Sequence, residues 1–148
     1  MRPGERALVP FAGVGPFAIP IAARKAEVMA VEKSREACRW LAENARLNGV
    51  EERMTVLNAD AKHMAQMLKP EFDRAVIPAP YGMDWILETV SSKVKTGGML
   101  HFYTFKKRCQ IEEVIEGYEG MGLEVLFYRK CGNVAPAVSR WAFDMLKC

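Results

Sequence analysis

The stretch that decides the fold is ALVPFAGVGPF, residues 7–17. It predicts a short apolar strand over Arg6–Phe11, a tight turn at Gly13 and Gly15, and a helix over Pro16–Arg24. Glycine lets the backbone bend sharply and approach a ligand without a Cβ in the way. A helix N-terminus offers free N–H groups. The stretch therefore predicts a nucleotide-like cofactor site, although the same pattern also occurs in purely structural turns.

A second strand is predicted over Ala26–Glu32, and its last residue is acidic. Glu32 follows the glycine turn by about 20 residues, which is the spacing at which an acidic side chain accepts hydrogen bonds from a cofactor ribose. The alternative is a solvated carboxylate at a strand end. Ser34 then predicts an N-cap, and Asn48-Gly49 predicts the end of the following helix.

The composition is that of an ordinary globular protein. The 148 residues carry a net charge of +3, which permits an anionic partner such as RNA without requiring one. The size predicts one domain. The four cysteines are scattered, which favours neither a zinc site nor a disulfide framework and is typical of a reducing cytosol. No apolar run is long enough to cross a membrane. From the scattered cysteines and the lack of a signal peptide we expect a cytoplasmic protein, and from their spacing we expect no metal.

Short apolar runs alternate with amphipathic stretches along the chain, which is typical of a parallel sheet covered by helices. Asp60 follows the third strand, where it could cap the next helix or contact a base edge. The remaining predicted elements are strands at Met54–Asn58, Phe72–Ile77 and Met99–Phe105, and helices at Asp60–Leu68, Met83–Val94 and Cys109–Met121.

The C-terminal part of the chain departs from this alternation. Strands are predicted at Leu123–Cys131 and Val138–Leu146, and the segment between them is too short for a parallel crossover. They should form an antiparallel hairpin. The predicted fold is α/β, a Rossmann-like doubly wound sheet of seven strands with a C-terminal hairpin. This hairpin favours S-adenosylmethionine over a nicotinamide cofactor.

Four separated stretches carry a resemblance that covers nearly the whole chain. They are FAGVGPF at 11–17, ENARLNGV at 43–50, GGMLHFY at 97–103, and the terminal segment around Ala135-Pro136 and Trp141. These stretches resemble class I S-adenosylmethionine-dependent methyltransferases. More narrowly, they are similar to the archaeal and eukaryotic tRNA guanine-37 N1-methyltransferases and their wybutosine-pathway aminocarboxypropyl-transferase relatives.

The resemblance implies a role for each part of the site. The glycine turn would hold the methionine end of S-adenosylmethionine, Glu32 would bind the ribose, and the end of the third strand would flank the base. The substrate class that it implies is tRNA. The cofactor-binding positions that it implies are Phe11, Gly13, Val14, Gly15, Glu32, Lys33 beside the adenine, Asp60 and Ala61 at the base, and Pro78 beside the sulfonium.

The sequence departs from the family pattern in three places. Val9 stands where many such enzymes have an acidic residue at the end of the first strand. Pro78 stands at the asparagine position of an Asn-Leu-Pro-type turn, so it offers neither a side-chain amide nor an N–H. The N-terminal regions that recognise tRNA in full-length members do not precede the first strand, so a separate RNA-binding chain could supply that recognition.

Asp84 and Tyr81 are the candidate catalytic residues, because both follow the proline turn after the fourth strand. Asp84 could remove a proton from a base nitrogen, or it could simply favour the helix dipole. Tyr81 could stack on a substrate base or pack over the cofactor. The run 106–108 could touch phosphate or be a solvated helix start. The alternative to a methyltransferase is a weak or inactive cofactor-binding module.

Overall fold

The computed structural model describes residues 1–148 and contains one sheet of seven strands in the order β3-β2-β1-β4-β5-β7-β6. This order and the C-terminal hairpin confirm the predicted fold class. The strands are β1 Arg6–Pro10, β2 Glu27–Glu32, β3 Met54–Asn58, β4 Phe72–Pro78, β5 Val94–Lys107, β6 Leu123–Ala135 and β7 Val138–Lys147.

The first five strands run parallel, so their carboxyl ends lie at one edge of the sheet. Strand β7 pairs antiparallel with β5 on one side and with β6 on the other. The prediction for β5 was wrong at its start, because the strand begins at Val94 rather than Met99. Val94 pairs with Phe72 and Met99 with Arg74, so residues 95–98 bulge out between them at the predicted Gly97-Gly98 turn.

Four of the five helices are shorter than the sequence predicted, and only α2 has its predicted length. The first begins at Ala18 rather than Pro16, since residues 16–17 form a turn, and the helix after β4 covers only the middle of its predicted range. Single 3₁₀ turns precede two others, at Ala61–His63 and Arg108–Gln110. The α-helices are α1 Ala18–Ala23, α2 Arg35–Leu47, α3 Met64–Met67, α4 Ile86–Ser91 and α5 Ile111–Gly120.

The predicted N-cap and the predicted end of α2 are both confirmed. The Ser34 side chain accepts a hydrogen bond from the Ala37 N–H at 3.2 Å, which caps the helix. Gly49 follows the helix with φ +65°, the left-handed conformation that glycine adopts without strain. No helix is long and apolar enough to cross a membrane.

The two faces of the sheet have different cores. Helices α1 and α2 cover one face with small residues: seven of the 13 buried members of this cluster are alanine. We call it the alanine face. Helices α3, α4 and α5 cover the other face, the aromatic face, whose 20 buried members include Phe72, Phe102, Tyr118, Trp141 and Phe143.

The alanine face is only partly covered beyond β4. Along β5 and β7, residues on the aromatic face are buried and the alternate residues are half-buried. His101, Tyr103 and Phe105 are three of these half-buried residues on β5. Inner strands of a sheet are normally buried on both faces. The helix layer on the alanine face therefore ends short of β5.

Ion pairs hold the amino end of the parallel strands together. The Asp73 carboxylate accepts from the Arg6 N–H at 2.8 Å and from Lys95 Nζ at 2.6 Å. These two donors hold the pKa of Asp73 below its ordinary value. Arg74 donates to both carboxylate oxygens of Glu5 at 3.1 Å, which likewise lowers the pKa of Glu5.

Candidate functional site

The glycine turn lies at the carboxyl end of β1, where the sequence placed it. Three residues of the turn have positive φ: Phe11 at 52°, Gly13 at 57° and Gly15 at 103°. The Ala12 N–H donates to the Val31 carbonyl at 3.1 Å, which ties the turn to the end of β2. The turn therefore keeps its shape through contacts within the protein.

Gly13 and Gly15 serve different purposes. A Cβ built on Gly13 would meet nothing within 4 Å, so the space beside this residue is open. A Cβ built on Gly15 would lie 2.6 Å from Leu41 Cδ1 and 2.8 Å from Ile19 Cδ1. Gly15 is therefore required for close packing of α1 and α2, whereas the backbone of Gly13 faces room that a ligand can occupy.

Glu32 lies against the glycine turn, so the structure brings together these two parts of the predicted site. Its Oε2 accepts from the Gly13 N–H and its Oε1 from the Ser34 N–H, both at 2.8 Å. Each oxygen has a second lone pair for another donor. The carboxylate is thus fixed in orientation at the carboxyl edge and can still accept hydrogen bonds from hydroxyl groups.

The end of β3 completes one side of the site. Asp60 caps the 3₁₀ turn that follows it, accepting from the Lys62 N–H at 3.1 Å, so its predicted capping role is confirmed. It also pairs with Lys33 Nζ at 3.4 Å. The Lys62 N–H, together with Lys33, holds the pKa of Asp60 below its ordinary value. Ala61 is buried beside it.

Two asparagines that the sequence analysis did not select organise this edge. Asn58 Nδ2 donates to the carbonyls of Glu32 and Lys33, at 3.0 and 2.9 Å. Asn44 Nδ2 donates to the carbonyl of Val14 at 3.0 Å and so ties α2 to the glycine turn. Asn58 had a signal in the sequence, since a polar residue ends an otherwise apolar strand. Asn44 lies in the ENARLNGV stretch but had no role assigned.

The turn after β4 lies on the other side of the glycine turn from β2 and β3, because β4 and β2 flank β1 in the sheet. Pro78 is the last residue of β4 and pairs in register with Tyr103 of β5. Tyr81 is 73% exposed, and its ring centroid lies 5.8 Å from that of Phe105. Tyr81 therefore packs against the end of β5 with most of its ring accessible to a ligand.

Asp84 does not serve α4 as its cap, because that helix begins at Ile86 and has no side-chain cap. Asp84 lies two residues before α4, so its contribution to the helix dipole stays a prediction. Its carboxylate instead accepts from Thr104 Oγ1 at 2.6 Å and forms an ion pair with Lys106. Both partners lie on β5, so Asp84 fastens the turn after β4 to the carboxyl end of the neighbouring strand. In the run 106–108, Lys106 and Lys107 are the last two residues of β5, and Arg108 begins the 3₁₀ turn before α5.

Val9 is a core position in this fold. Its side chain is fully buried in the cluster of the alanine face. A carboxylate there would need a partner to offset its desolvation. Val14, in contrast, is 48% exposed at the tip of the glycine turn. No group of three or more His, Cys, Asp or Glu side chains is arranged to hold a metal ion.

Comparison with known proteins agrees with this geometry. Residues 1–125 match the model of the TRM5/TYW2 methyltransferase domain. The chain is 30% identical over 149 residues to the Pyrococcus abyssi tRNA (guanine(37)-N(1))-methyltransferase Trm5b, covering 95% of this chain and 43% of that protein. It is 28% identical to the Pyrococcus horikoshii tRNA(Phe) (4-demethylwyosine(37)-C(7)) aminocarboxypropyltransferase, covering 97% of this chain and 54% of that protein.

A solved structure gives the same result. The crystal structure of M. jannaschii TYW2 in complex with AdoMet superposes with a TM-score of 0.82 at 25% identity, covering 99% of this chain and 71% of that one. The chain spans about half the length of the two Pyrococcus relatives. The glycine turn, the acidic end of β2 and the terminal hairpin occur together in this fold, and the chain belongs to the TRM5/TYW2 methyltransferase domain family.

Proposed function

We propose that this chain is the cofactor-binding and catalytic part of an S-adenosylmethionine-dependent tRNA methyltransferase. The observation that carries the proposal is the hydrogen bond between the Gly13 N–H and Glu32 Oε2 at 2.8 Å. It places a carboxylate beside an open glycine turn at the carboxyl edge of the sheet, where ligands of α/β proteins bind. The AdoMet complex of M. jannaschii TYW2 supports the same cofactor.

The residues present fit this cofactor. The open space beside Gly13 would take the methionine end, and the free lone pairs of Glu32 would accept the ribose hydroxyls. Lys33 and Asp60 form a pair that would border the adenine, with Ala61 beneath it. S-adenosylmethionine supplies a methyl group that is activated by its bond to a sulfonium. Phe11, Val14 and Pro78 would complete the walls.

The names of the two Pyrococcus relatives support tRNA as the substrate class. Both of those proteins act at position 37 of tRNA by name. A purine at this position would lie against Tyr81, whose exposed ring offers a stacking surface. The protein's contribution would be mainly to align this base with the methyl group.

Asp84 is the candidate base for a ring nitrogen that carries a proton. Its carboxylate is held at the carboxyl edge by Thr104 and Lys106. Replacing this carboxylate with an amide would keep the size of the group and remove its ability to accept a proton. Asp84→Asn should therefore slow methyl transfer by about 100-fold and leave cofactor affinity unchanged.

The comparison variant for this test is Glu88→Gln, which changes the same charge on the exposed side of α4. Single-turnover transfer of a labelled methyl group to a tRNA transcript measures the rate, and calorimetry measures cofactor affinity. Equal transfer rates for Asp84→Asn and the wild-type protein would show that Asp84 only fastens the turn.

The second candidate function is a cofactor-binding module that is inactive without a partner chain. Pro78 favours it, because this residue presents no amide to a substrate base. Recognition of tRNA through a separate chain is part of this alternative. A cytosolic location also stays a prediction.

Calorimetric titration with S-adenosylmethionine and S-adenosylhomocysteine tests the cofactor. We expect micromolar dissociation constants, about −8 kcal/mol. Titration with NAD is the control for the nicotinamide alternative. The proposal is wrong if neither sulfur compound binds. Binding without transfer to tRNA, restored by a partner chain, would identify the inactive module.

A further inference from the structure

Positive charge is concentrated on one part of this molecule. Residues 99–111 and 125–143 contain six of the 21 Lys and Arg residues and none of the 18 Asp and Glu residues. Pairing of β5, β7 and β6 brings these two segments side by side. The net charge of the whole chain, +3, conceals this segregation. Such clustering of positive charge is the electrostatic pattern of a nucleic-acid contact surface.

Most of these cations have no carboxylate partner. Lys106 pairs with Asp84, but Lys107, Arg108, Arg129, Lys130 and Arg140 take part in none of the eight ion pairs of the structure. Elsewhere the chain neutralises several of its cations, as with Arg6 and Glu71 or Arg74 and Glu5. Arg140 lies over the rings of Tyr103 and Phe105, at 5.1 and 5.9 Å, and is half-buried. The other four are exposed and can bind an external anion.

Three of them line an open cleft of about 570 Å³ at the end of the hairpin, which we call the basic cleft. Lys107 and Arg108 contribute from the end of β5, and Lys130 from β6. Trp141 is 2% exposed, and its indole N–H donates to the Lys106 carbonyl at 3.2 Å. This bond fixes one wall of the cleft.

A neutral donor adds to the three cations. Ser139 Oγ donates to Asn133 Oδ1 at 3.0 Å, which leaves the amide nitrogen of Asn133 without a partner in the protein. Both residues line the cleft, and no acidic residue does. Cations, an amide donor and no carboxylate make a set of groups that suits phosphate oxygens.

The cleft lies beside the candidate site. Pro78 ends β4 opposite Tyr103, and β5 continues four residues further to Lys107, about 13 Å beyond the end of β4 on the carboxyl side. Lys106, which precedes it, pairs with Asp84 in the turn that the substrate base would contact. A polynucleotide whose reacting base lies at Tyr81 would therefore have neighbouring phosphates within reach of the hairpin.

We infer that the basic cleft binds the phosphate backbone of the tRNA substrate beside its reacting base. This inference rests on the proposed function. Each phosphate that a cation neutralises releases counterions and steepens the salt dependence of binding. The cleft would thus supply affinity and orientation without reading the base sequence.

The test is a triple variant, Lys107→Gln, Arg108→Gln and Lys130→Gln. Its matched control is Arg2→Gln, Arg39→Gln and Lys69→Gln, which removes the same charge from exposed positions outside the cleft. Fluorescence anisotropy with a tRNA transcript at several salt concentrations measures affinity and its salt slope. We expect the cleft variant to lose at least about tenfold in affinity at low salt and about two in slope, and the control to lose much less.

Melting temperature and S-adenosylmethionine affinity, both unchanged, would show that the cleft variant is folded. The single variant Lys130→Gln gives a second measurement, with a slope reduced by about one. Equal tRNA binding by the cleft variant and the control would overturn the inference, as would a wild-type chain that binds the cofactor but no tRNA. Pyrophosphate binding in the cleft as tight as tRNA would also overturn it. Loss of cofactor binding in the wild-type chain would instead refute the proposed function.

Discussion

Helices cover both faces of the sheet, but the buried residues of the two faces differ in size. On the alanine face, α1 and α2 lie close over β1 and β2, and seven of 13 buried side chains are alanine. On the aromatic face, three helices lie over a cluster that includes five large aromatic residues. Small side chains let a helix approach a sheet closely, whereas aromatic side chains fill a deeper layer.

This difference follows from what each face carries. The alanine face lies under the glycine turn, and Gly15 has no room for a Cβ against α1 and α2. Close packing of α1 and α2 against the turn thus requires a residue without a side chain at position 15. The aromatic face carries no such turn, so it can gain stability from large buried surfaces. The residues of the alanine face thus fit the glycine turn of the candidate site, whereas those of the aromatic face bury large apolar side chains.

The largest effect should come from removing a side chain from the aromatic face. Phe143 is fully buried between Tyr118 and Tyr128, with ring centroids 5.3 and 5.8 Å away. Phe143→Ala should cost about 3–5 kcal/mol of unfolding free energy through the cavity that it leaves. Urea unfolding measures this. Phe127→Ala, at a phenylalanine 55% exposed on the hairpin, should cost below about 1 kcal/mol.

On the alanine face, the informative change is to enlarge a small side chain. Ala22→Leu should cost about 1–3 kcal/mol, because Ala22 is fully buried and the added atoms have no space. A stabilised Ala22→Leu variant would show that this face has unfilled space and would contradict the comparison.

The next prediction distinguishes the role of the glycine turn in cofactor binding from its role in stability. Gly13→Val should weaken S-adenosylmethionine binding by at least 100-fold, about 2.7 kcal/mol, because the branched side chain fills the open space beside the turn. Gly49→Val is the matched control: its φ of +65° is close to the +57° of Gly13, and both positions are open. Both variants should lose about 1–2 kcal/mol of stability through backbone strain.

Calorimetry and urea unfolding on both variants distinguish the outcomes. Normal cofactor binding by a folded Gly13→Val protein would place the ligand elsewhere. Gly15→Ala should show the reverse pattern, with a loss of stability as the main effect, since its Cβ would meet Leu41 and Ile19.

The smallest effect concerns the amino edge of the sheet, which both faces share. The pKa of Asp73 is lowered by the Arg6 N–H and Lys95. Its stabilising contribution is therefore fully present above the ordinary value of 3.8 and is lost as the pH falls through the lowered value. Asp73→Asn should cost about 1 kcal/mol at neutral pH and reduce the decline in stability between about pH 4 and 2.

Urea unfolding at several pH values checks the Asp73 prediction. Glu88→Gln, at an exposed position outside every ion pair of the structure, is the control and should leave the acid limb of the curve unchanged. An Asp73→Asn protein with the acid dependence of the wild type would show that other carboxylates at this edge dominate.

The sequence predicted best what local patterns determine. Ser34 caps α2 and Gly49 follows it in the left-handed conformation, because both depend on residues within one helical turn. The sheet of seven strands and its antiparallel hairpin followed from the alternation of elements and from the short connection between the last two strands. In the candidate site, the proximity of Gly13 and Glu32 was predictable because both lie at the ends of adjacent parallel strands.

What the sequence did not predict depends on contacts between distant residues. The Asp84 carboxylate contacts Thr104 and Lys106 on β5, about 20 residues later in the sequence. The first turn of the predicted helix at Met83 is therefore an irregular segment. The role of Asn44 also depends on a partner 30 residues away, Val14. No local pattern identifies such pairs.

The position of β7 has a consequence for how the chain folds. This strand is the last in the sequence, yet it lies inside the sheet between β5 and β6. Strand β6 leaves the ribosome earlier, but it has no hydrogen-bonded neighbour other than β7. The side of β5 that faces β7 stays unpaired until residues 138–147 have been made. Sheet closure is thus a late, non-local step, of the kind that slows folding and exposes strand edges during synthesis.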